Sequence, residues 1–494
     1  MRILLAIAAL IISSPVLAQD DIPRLEHRGE AVQLIVDGEP FLILGGELGN
    51  STASNRAYMA QHWYHLQRMN LNTVLAPVYW ELIEPAEGEF DFSSVDWLIE
   101  DARAHDMRLV LLWFATWKNS MSSYAPSWVK RDAERFPRTC GADGQMQEII
   151  SAYSPEARDA DAQAFAALMA HLREIDGAER TVIMVQVENE IGFLPFAGEA
   201  GNGTDPAATE REMARAYAGY ANAVAEAGKR EYLLPIFVNG AQGRPGVAPG
   251  DYPSGGPLAH LADIWREEAP AIDFIAPDIY FPSFAGIVDG YVEAGVAPLF
   301  IPEANRPSDP ALVANALRSI GLRNGIGFSP FAIEDADEAA SERIAGLYAM
   351  LEGMAEPILA AQAEGRIAGF GNSVSFASEV DTSPMQAEFG AFRFSVTTID
   401  PWTPRDAQDP RSHGALLIWL GGEDFLFAGM GATLTVDSVG GLGSAGFDFV
   451  EEGTFEKGEW KSGRRLNGDQ THQGRHVRLP PGEFGIQRFR LYRY

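Results

Sequence analysis

The pattern that most restricts the fold of this chain is an alternation of short apolar runs with longer amphipathic stretches, repeated eight times. The apolar runs have few polar interruptions, which is typical of strands buried on both faces of a parallel sheet. Eight such units favour a TIM-type (β/α)8 barrel over a doubly wound sheet, which rarely uses so many. The predicted strands are residues 41–46, 72–78, 107–114, 181–187, 233–239, 272–277, 297–302 and 326–331.

The stretches between the apolar runs have the spacing of amphipathic helices. One helix is predicted over residues 56–69 and another over residues 154–175. At the start of the second, Ser154 can accept a hydrogen bond from the first turn, and Pro155 suits the first helical position. No G-x-G-x-x-G motif follows the first strand, so a dinucleotide-binding fold is not favoured.

The chain changes character near residue 364, where β-rich segments punctuated by glycine and turn residues begin. This pattern predicts a barrel domain over residues 19–363 and a smaller, antiparallel β-sandwich-like accessory domain over residues 364–494. Trp402 and Trp419 could bind sugar there, although tryptophans of β-rich domains more often belong to the core.

Residues 1–18 have the pattern of a signal peptide. Arg2 precedes an apolar run from Ile3 to Ile12, and the small residues Val16 and Ala18 stand where cleavage would require them. The apolar run is shorter than the roughly 18 residues that a membrane span needs. We therefore expect an exported protein, periplasmic or secreted, without a membrane segment in its mature form.

Acidic residues outnumber basic ones by 68 to 38, which gives a net formal charge of −30. Such a surface repels phosphate backbones, so nucleic-acid binding is not expected.

Cys140 is the single cysteine, which excludes an internal disulfide and a zinc site made of thiolates. His62 and His65 lack metal spacing on a shared loop. We expect no metal and no cofactor, and the sequence leaves the oligomeric state open.

Carboxylates follow the fourth and the seventh predicted strands. Glu188 and Glu190 lie in VQVENEIG (residues 185–192) at the end of the fourth strand, and Glu303 follows the seventh. The carboxyl ends of barrel strands share one face, so acids from strands four and seven can meet across it. Paired carboxylates are what hydrolysis of a glycosidic bond requires. The alternatives are a loop cap or an ion pair, for Glu303 with Arg306.

Three stretches resemble glycoside hydrolase family 35, the β-galactosidases. QVENEIG is similar to the family's Q-x-E-N-E-Y-G signature, VYWELIEPAEGEFDF to its W-x-x-x-E-P-x-x-G-x-F-D-F, and FIPEANR stands where the family keeps its nucleophile. The resemblance implies that Glu190 is the acid/base, that Glu303 is the nucleophile and that Asn189 contacts the sugar 2-hydroxyl. It also implies a retaining (β/α)8 exo-β-galactosidase whose substrate is a carbohydrate.

Two departures from the family pattern stand out. Ile191 replaces the usual tyrosine, and the third-strand region, residues 113–128, lacks the family's Pro-Gly-Pro-Tyr and Glu-Trp elements. Together with the β-rich C-terminal region, these departures suggest a bacterial branch of the family, in which some members act on plant-polysaccharide fragments.

Regular strand alternation would put Gln186, Glu188 and Glu190 on one side, so spacing alone does not choose between the two glutamates. The resemblance favours Glu190 and leaves Glu188 a supporting role.

Further side chains near strand ends are candidates for substrate binding, with core packing as the alternative for each aromatic ring. The candidates are Trp80, Glu81, Trp113, Trp117, Asn119 and Tyr280. Glu47 and Asn50 after the first strand are weaker candidates. Glu84 is expected to be structural, within a turn, and the acidic run at residues 334–338, which includes Glu334, to be solvated surface.

The first expectation for function is therefore an exo-β-glycosidase that acts as a β-galactosidase. Another barrel glycosidase of the same clan, such as a glucosidase, a mannosidase or an endo-acting enzyme, is the alternative within enzymes. A carbohydrate-binding protein without catalysis is the alternative from another class.

Overall fold

The computed structural model describes residues 22–494 apart from 142–143, 200, 323, 442, 457, 467 and 472–473. The predicted signal peptide, residues 1–18, lies outside the described residues. The strands, in chain order, are β1 (Arg24–Arg28), β2 (Ala31–Val36), β3 (Glu39–Phe41), β4 (Ile43–Glu47), β5 (Thr73–Tyr79), β6 (Arg108–Phe114), β7 (Arg138–Cys140), β8 (Met146–Ile150), β9 (Val182–Val187), β10 (Ile236–Ala241), β11 (Phe274–Ile279), β12 (Leu299–Ile301), β13 (Glu303–Ala304), β14 (Gly325–Phe328), β15 (Ile367–Gly371), β16 (Met385–Phe389), β17 (Phe392–Thr397), β18 (Gly414–Gly421), β19 (Asp424–Met430), β20 (Ala432–Ser438), β21 (Ala445–Glu456), β22 (Glu459–Leu466), β23 (Val477–Leu479) and β24 (Gly485–Arg493).

The α-helices lie mainly between the strands of the first two thirds of the chain. They are α1 (Arg56–Met59), α2 (Trp63–Arg68), α3 (Trp80–Ile83), α4 (Ser93–Ala104), α5 (Ser127–Arg131), α6 (Pro155–Asp176), α7 (Pro206–Glu231), α8 (Ala262–Glu268), α9 (Phe284–Glu293), α10 (Leu312–Ile320), α11 (Glu338–Gly353) and α12 (Ala355–Ala363). Short 3-10 helices occupy Thr52–Ser54, Ala259–Leu261, Ile333–Asp335, Arg405–Ala407, Pro410–Ser412 and Val439–Gly441.

The central sheet is a closed parallel barrel of eight strands. Its order is β12-β14-β4-β5-β6-β9-β10-β11-β13, and every pairing along it is parallel. Because β12 and β13 are two halves of one strand interrupted at Pro302, the ends of this order join and the sheet closes. All eight predicted strands are present, and the (β/α)8 fold is confirmed.

The helix predictions hold where the end signals are clear. Ser154 Oγ accepts a hydrogen bond from Ala157 N at 3.2 Å, and α6 begins at Pro155. The single helix predicted over residues 56–69 is wrong in its continuity, because α1 and α2 are separate. Met59 at the end of α1 and Trp63 at the start of α2 are both buried, so both short helices pack against the core.

A small antiparallel sheet, β1–β3, lies beneath the barrel. Gln33 Nε2 donates to Leu359 O of α12 at 2.7 Å, and Val32 N donates to Asn324 Oδ1 at 2.8 Å in the segment that leads into β14. Both contacts are at the amino ends of the barrel strands. The sheet therefore leaves the carboxyl ends open.

The last barrel helix, α12, ends at Ala363, and two antiparallel sheets follow from Ile367. Their orders are β15-β18-β19-β24-β21-β22 and β16-β17-β20-β23. Side chains of the larger sheet alternate between two cores. Leu416 and Ile418 join the core of the barrel. Leu417 and Phe427 join the core between the two sheets. The larger sheet is thus sandwiched between the barrel and the smaller sheet.

The two tryptophans of the C-terminal region differ in environment. Trp419 packs against the core between the two sheets, and its Nε1 donates to Gly422 O at 3.1 Å. Trp402 is 51% exposed.

No single helix of the described residues is both long and apolar enough to cross a membrane. The pair α11 and α12, bent by 62°, meets the length and composition requirement only when the two helices are taken together.

Strand β9 is anchored at its start by a buried carboxylate. Asp176 accepts hydrogen bonds from Thr181 N at 3.0 Å and from Val182 N at 2.7 Å, and it pairs with Arg103 at 2.5 Å. Replacing Asp176 by Ala leaves two buried N–H groups unpaired. We expect Asp176→Ala to lower the free energy of unfolding by about 2–4 kcal/mol, measured by urea denaturation.

A matched control is Asp159→Ala, which removes an exposed carboxylate paired with its neighbour Arg158. It should change the free energy of unfolding by less than about 0.5 kcal/mol. Equal losses in the two variants would contradict the anchoring role of Asp176.

Candidate active site

Five ionisable side chains converge at the carboxyl ends of the barrel strands. Glu47 comes from β4, Glu190 from the loop after β9, Asp278 from β11 and Glu303 from β13, and we call these four the carboxylate cluster. Lys118 enters from the loop after β6. One carboxylate oxygen from each of Glu190, Asp278 and Glu303 lies within 4.8 Å of the other two. The two predicted catalytic glutamates therefore face each other.

The backbone after β9 turns the two glutamates of VQVENEIG in different directions. Glu188 and Glu190 have φ values of 59° and 43°, in the left-handed region that side chains rarely adopt. Regular alternation therefore stops at Val187, and spacing along a strand does not apply to these residues. Glu188 is buried, and its Oε2 accepts from Trp117 N at 2.7 Å. Burial, followed by the charge of Asp161, raises the pKa of Glu188.

The loops after β6 and β9 are joined by three hydrogen bonds. Besides the bond from Trp117 N to Glu188, Asn189 N donates to Trp117 O at 3.1 Å, and Asn189 Nδ2 donates to Lys118 O at 2.9 Å. The joined backbones place Lys118 beside Glu190, with 3.9 Å between Nζ and Oε2. Glu188 thus acts as a positioning residue for the loop that carries Lys118.

Glu190 has the environment of a carboxyl group that can carry a proton near neutral pH. Its backbone N–H donates to Asn239 Oδ1 at 3.0 Å, which ties the residue to β10. Burial and the charge of Glu303 raise the pKa of Glu190 to about 7, against the opposing effect of Lys118. A carboxyl group with this pKa can act both as acid and as base.

Glu303 is buried, and Tyr280 is its hydrogen-bond donor. The Tyr280 hydroxyl donates to Oε1, while Oε2 has no hydrogen-bond partner among the described residues. Arg306, the alternative partner considered from the sequence, lies 3.9 Å from Asp335 and has its guanidinium over the Phe331 ring. An ion pair with Arg306 therefore does not explain Glu303.

The charges of the cluster depend on burial and on Lys118. Burial and the charge of Glu303 raise the pKa values of Glu47 and Asp278, which favours their protonated forms. Burial alone would lower the pKa of Lys118, but the surrounding carboxylates outweigh it and raise the pKa. Lys118 is therefore an ammonium group among carboxyl groups that titrate together.

Asn189 is buried among polar side chains. Its Oδ1 accepts from Gln186 Nε2 at 2.7 Å and from Asn239 Nδ2 at 2.9 Å, and the same Asn239 group donates to Asp278 Oδ2 at 2.6 Å. One Nδ2 hydrogen of Asn189 goes to Lys118 O, which leaves the other for a substrate hydroxyl.

Three predicted sugar platforms are wrong. Trp80, Trp113 and Trp117 have no exposed surface, so none can stack on a ligand. Trp80 Nε1 donates to Glu84 Oε2 at 2.8 Å, and Trp113 Nε1 donates to Asp161 Oδ1 at 2.8 Å. Trp117 packs edge-on against two tyrosines of α7. The indoles lie among the helices outside the barrel strands, a position that strand-end proximity in the sequence does not reveal.

Glu81 and Asn119 make local contacts. Glu81 pairs with Lys130 at 3.2 Å. Asn119 Oδ1 accepts from Met121 N and Ser122 Oγ and closes a turn. The structure brings neither side chain into the carboxylate cluster. Tyr280, by contrast, is 38% exposed with its hydroxyl on Glu303.

The weaker candidates have mixed outcomes. Glu84 accepts from Gly88 N at 2.7 Å within its turn, as expected of a structural residue. Asn50 is exposed, and its carbonyl accepts from the Tyr79 hydroxyl at 2.8 Å. The prediction that Glu334 is solvated surface is wrong, because its Oε1 accepts from Gly49 N at 2.8 Å and from Thr52 Oγ1. Glu334 connects the loops after the first and eighth barrel strands.

Sequence reasoning missed Lys118, Asn239 and Asp278. Asn239 ends the fifth predicted strand, and Asp278 directly follows the sixth. The rule that selected Glu190 and Glu303, a polar residue at the carboxyl end of a strand, would have found both. Lys118 lies in a loop, and its direction depends on the contacts with Glu188 and Asn189.

The oxygens of Glu190, Asp278 and Glu303 are the kind of ligands that a hard divalent cation prefers. Lys118 already supplies a buried positive charge beside Glu190. The arrangement therefore also fits proton transfer and nucleophilic attack between neighbouring carboxyl groups, which need no metal.

Comparison with known proteins relates part of the chain to glycoside hydrolases. Residues 52–197 match the family 42 glycoside hydrolase model, described as beta-galactosidase. Residues 344–478 match a domain of unknown function (DUF5597). A beta-galactosidase of Xanthomonas manihotis is 32% identical over 85 residues, which are 17% of this chain and 14% of that protein.

Two solved structures match part of the chain at 14% identity. The beta-galactosidase of Rahnella sp. R3 has a TM-score of 0.46, with coverage of 68% of this chain and 57% of that one. The beta-galactosidase of Bacillus circulans sp. alkalophilus has a TM-score of 0.48, with coverage of 65% and 57%. The chain therefore spans less than two thirds of the length of each of these relatives.

The family match includes Glu190 but ends before Glu303. It supports a relationship with the clan of (β/α)8 glycoside hydrolases to which family 42 belongs. Family 35, which the sequence motifs resemble, is not confirmed, because the matching model is that of family 42.

The ammonium group of Lys118 opposes the raised pKa of Glu190, so its removal should raise that pKa further. We expect Lys118→Met to shift the titration of Glu190 upward by about one pH unit. The measurement is 13C NMR of carboxyl-labelled glutamate against pH, with the Glu190 signal assigned by its loss in Glu190→Gln.

The control is Lys130→Met, which makes the same substitution beside Glu81, away from the cluster. It should leave the Glu190 titration where it is in the parent protein. A Glu190 titration that is unchanged in Lys118→Met would show that Lys118 does not act on this group.

Proposed function

We propose that the protein is a retaining exo-β-glycosidase that removes terminal β-galactosyl residues from oligosaccharides or plant-polysaccharide fragments. The observation that carries this proposal is that one carboxylate oxygen of Glu190 lies within 4.8 Å of one of Glu303. Retaining glycosidases hold their two carboxyl groups about 5 Å apart, whereas inverting ones separate them by about 6.5–9.5 Å to admit a water.

In the first step, Glu303 attacks the anomeric carbon while protonated Glu190 gives its proton to the glycosidic oxygen. The carbon–oxygen bond to the leaving group breaks, and an ester bond between the sugar and Glu303 forms. Burial and the charge of Glu303 raise the pKa of Glu190 to about 7, so the group stays largely protonated below that pH. The Tyr280 hydroxyl, donating to Oε1, orients Glu303 for the attack.

In the second step, a water attacks the same carbon and gives a proton to Glu190, and Glu303 leaves as a carboxylate. Because the ester no longer carries the charge of Glu303, the pKa of Glu190 falls and the group can act as a base. The free Nδ2 hydrogen of Asn189 can donate to the sugar 2-hydroxyl. The net change is the addition of one water across the glycosidic bond.

The galactosyl specificity rests on the match to the family 42 model, described as beta-galactosidase, and on the motifs that resemble family 35. The finer placement in family 35 rests on QVENEIG, VYWELIEPAEGEFDF and FIPEANR. Placement in its bacterial branch rests on the departures at Ile191 and residues 113–128 and on the β-rich C-terminal region. Export rests on the signal-like residues 1–18. In this proposal the C-terminal sheets are an accessory to the barrel.

The assignment of the nucleophile is tested with Glu303→Gln, an isosteric change that removes the attacking carboxylate. We expect kcat on nitrophenyl β-galactoside to fall by at least about a thousandfold. The control is Glu338→Gln, which alters an exposed glutamate paired with Arg68. A 2-deoxy-2-fluoro-galactoside should trap a covalent sugar on Glu303 in the parent protein, seen by peptide mass spectrometry.

Full activity of Glu303→Gln, or a trapped sugar on another residue, would contradict the assignment. A panel of nitrophenyl glycosides separates the sugar from the mechanism. Turnover of a glucoside or mannoside without turnover of the galactoside would replace the galactosyl assignment and keep the chemistry.

The pH dependence follows from Glu190, which must be protonated in the first step. We expect kcat/KM to decline as the pH rises, with a midpoint near the Glu190 pKa of about 7. A pH series with nitrophenyl β-galactoside measures it. In Lys118→Met the midpoint should lie at higher pH, since loss of the positive charge favours the protonated acid.

A further inference from the structure

An aromatic contact joins the C-terminal region to the open end of the barrel. The rings of Phe281, in the loop after β11, and Phe376, in the loop between β15 and β16, lie 5.6 Å apart with an angle of 52° between them. The guanidinium carbon of Arg244, from the loop after β10, lies 5.3 Å from the centre of the Phe281 ring. We call Phe281, Phe376 and Arg244 the rim cluster.

The rim cluster includes the chain neighbour of a residue that contacts Glu303. Phe281 directly follows Tyr280, so their Cα atoms are about 3.8 Å apart. The Tyr280 hydroxyl donates to Glu303, and its ring lies 6.1 Å from that of Phe331. A polar contact with the nucleophile and an aromatic contact with the C-terminal region therefore come from adjacent residues.

Phe376 is carried by a loop with its own hydrogen bonds. Ser375 N donates to Glu379 O at 2.8 Å, and Asp381 N donates to Ser373 O at 2.9 Å. At the base of the loop, Asn372 Nδ2 donates to Pro410 O at 2.8 Å and anchors the loop in the C-terminal region. These bonds hold the Phe376 ring against the barrel before any ligand arrives, which reduces the entropy lost on binding.

Half-buried phenyl rings beside an exposed guanidinium have the chemistry of a sugar platform. A pyranose can lay its apolar C–H face on a ring, while a guanidinium donates hydrogen bonds to its hydroxyls. In the carboxylate cluster, by contrast, Glu47, Asp278 and Glu303 are buried. A longer substrate must continue along the rim of the barrel.

We propose that the rim cluster is a subsite for the sugar next to the one that is removed, and that the C-terminal region thereby takes part in substrate selection. This inference rests on the proposed glycosidase function. Because an exo-acting enzyme holds only the terminal sugar at the reacting centre, a second sugar at the rim cluster is on the leaving-group side.

The test compares two substrates that share the sugar to be removed. Methyl β-galactoside has almost no leaving group to bind, whereas lactose and β-linked galactobioses present a second sugar. We expect Phe376→Ala to lower the ratio of kcat/KM on the disaccharides to kcat/KM on methyl β-galactoside by about three- to tenfold. Phe376→Tyr, which keeps the ring, should restore the ratio.

Two further variants separate binding from folding. Tyr492→Ala removes an exposed aromatic ring of the C-terminal region that contacts Tyr494, and it should leave the ratio unchanged. Arg244→Ala alters an exposed side chain and should lower the ratio in the same direction as Phe376→Ala, even if the latter fails to fold.

An unchanged ratio in a folded Phe376→Ala, or in Arg244→Ala if Phe376→Ala does not fold, would overturn the subsite. In that case the aromatic contact only joins the two regions. A parent protein that hydrolyses none of these galactosides would instead count against the proposed function, so the two failures are distinguishable.

Discussion

The site depends on one buried ammonium group held among four carboxyl groups. Lys118 lies 3.9 Å from Glu190, and its pKa is raised by the negative charges of Glu303, Glu190, Glu47 and Asp278. Burying so many like charges without a cation would be strongly unfavourable. With one cation present, protonation of part of the cluster removes the remaining excess charge. Burial and the charge of the neighbouring Glu303, opposed by Lys118, raise the pKa of Glu190 to about 7.

The barrel makes this arrangement possible because parallel strands end on one face. Glu47, Asp278 and Glu303 come from three different strands, and each occupies the last positions of its strand. Glu190 and Lys118 come from loops, so they need further support. Glu188 and Asn189 supply it, since both bond to the backbone of the loop that carries Lys118. The left-handed backbone at Glu188 and Glu190 separates their functions, with Glu188 holding the loop and Glu190 facing Glu303.

The C-terminal sheets are integrated with the barrel. Leu416 and Ile418 bury one face of the larger sheet against the barrel core, so the two regions share apolar contacts over a broad surface. That packing also places the loop with Phe376 beside Phe281 at the mouth. A region whose core lies far from the chemistry can thus border the substrate path, because its orientation is fixed by burial.

The sequence by itself predicted the barrel, since eight mostly apolar runs indicate strands buried on both faces of a parallel sheet, and a doubly wound sheet rarely uses so many. It also placed Glu190 and Glu303 at strand ends, because strand polarity is readable from residue order. Tertiary structure decided the rest. Trp80, Trp113 and Trp117 follow the same strand-end rule, yet their rings are buried among helices, since side-chain direction depends on packing. Lys118 joins the carboxylates only because distant residues fold its loop inward, and no local pattern encodes that contact.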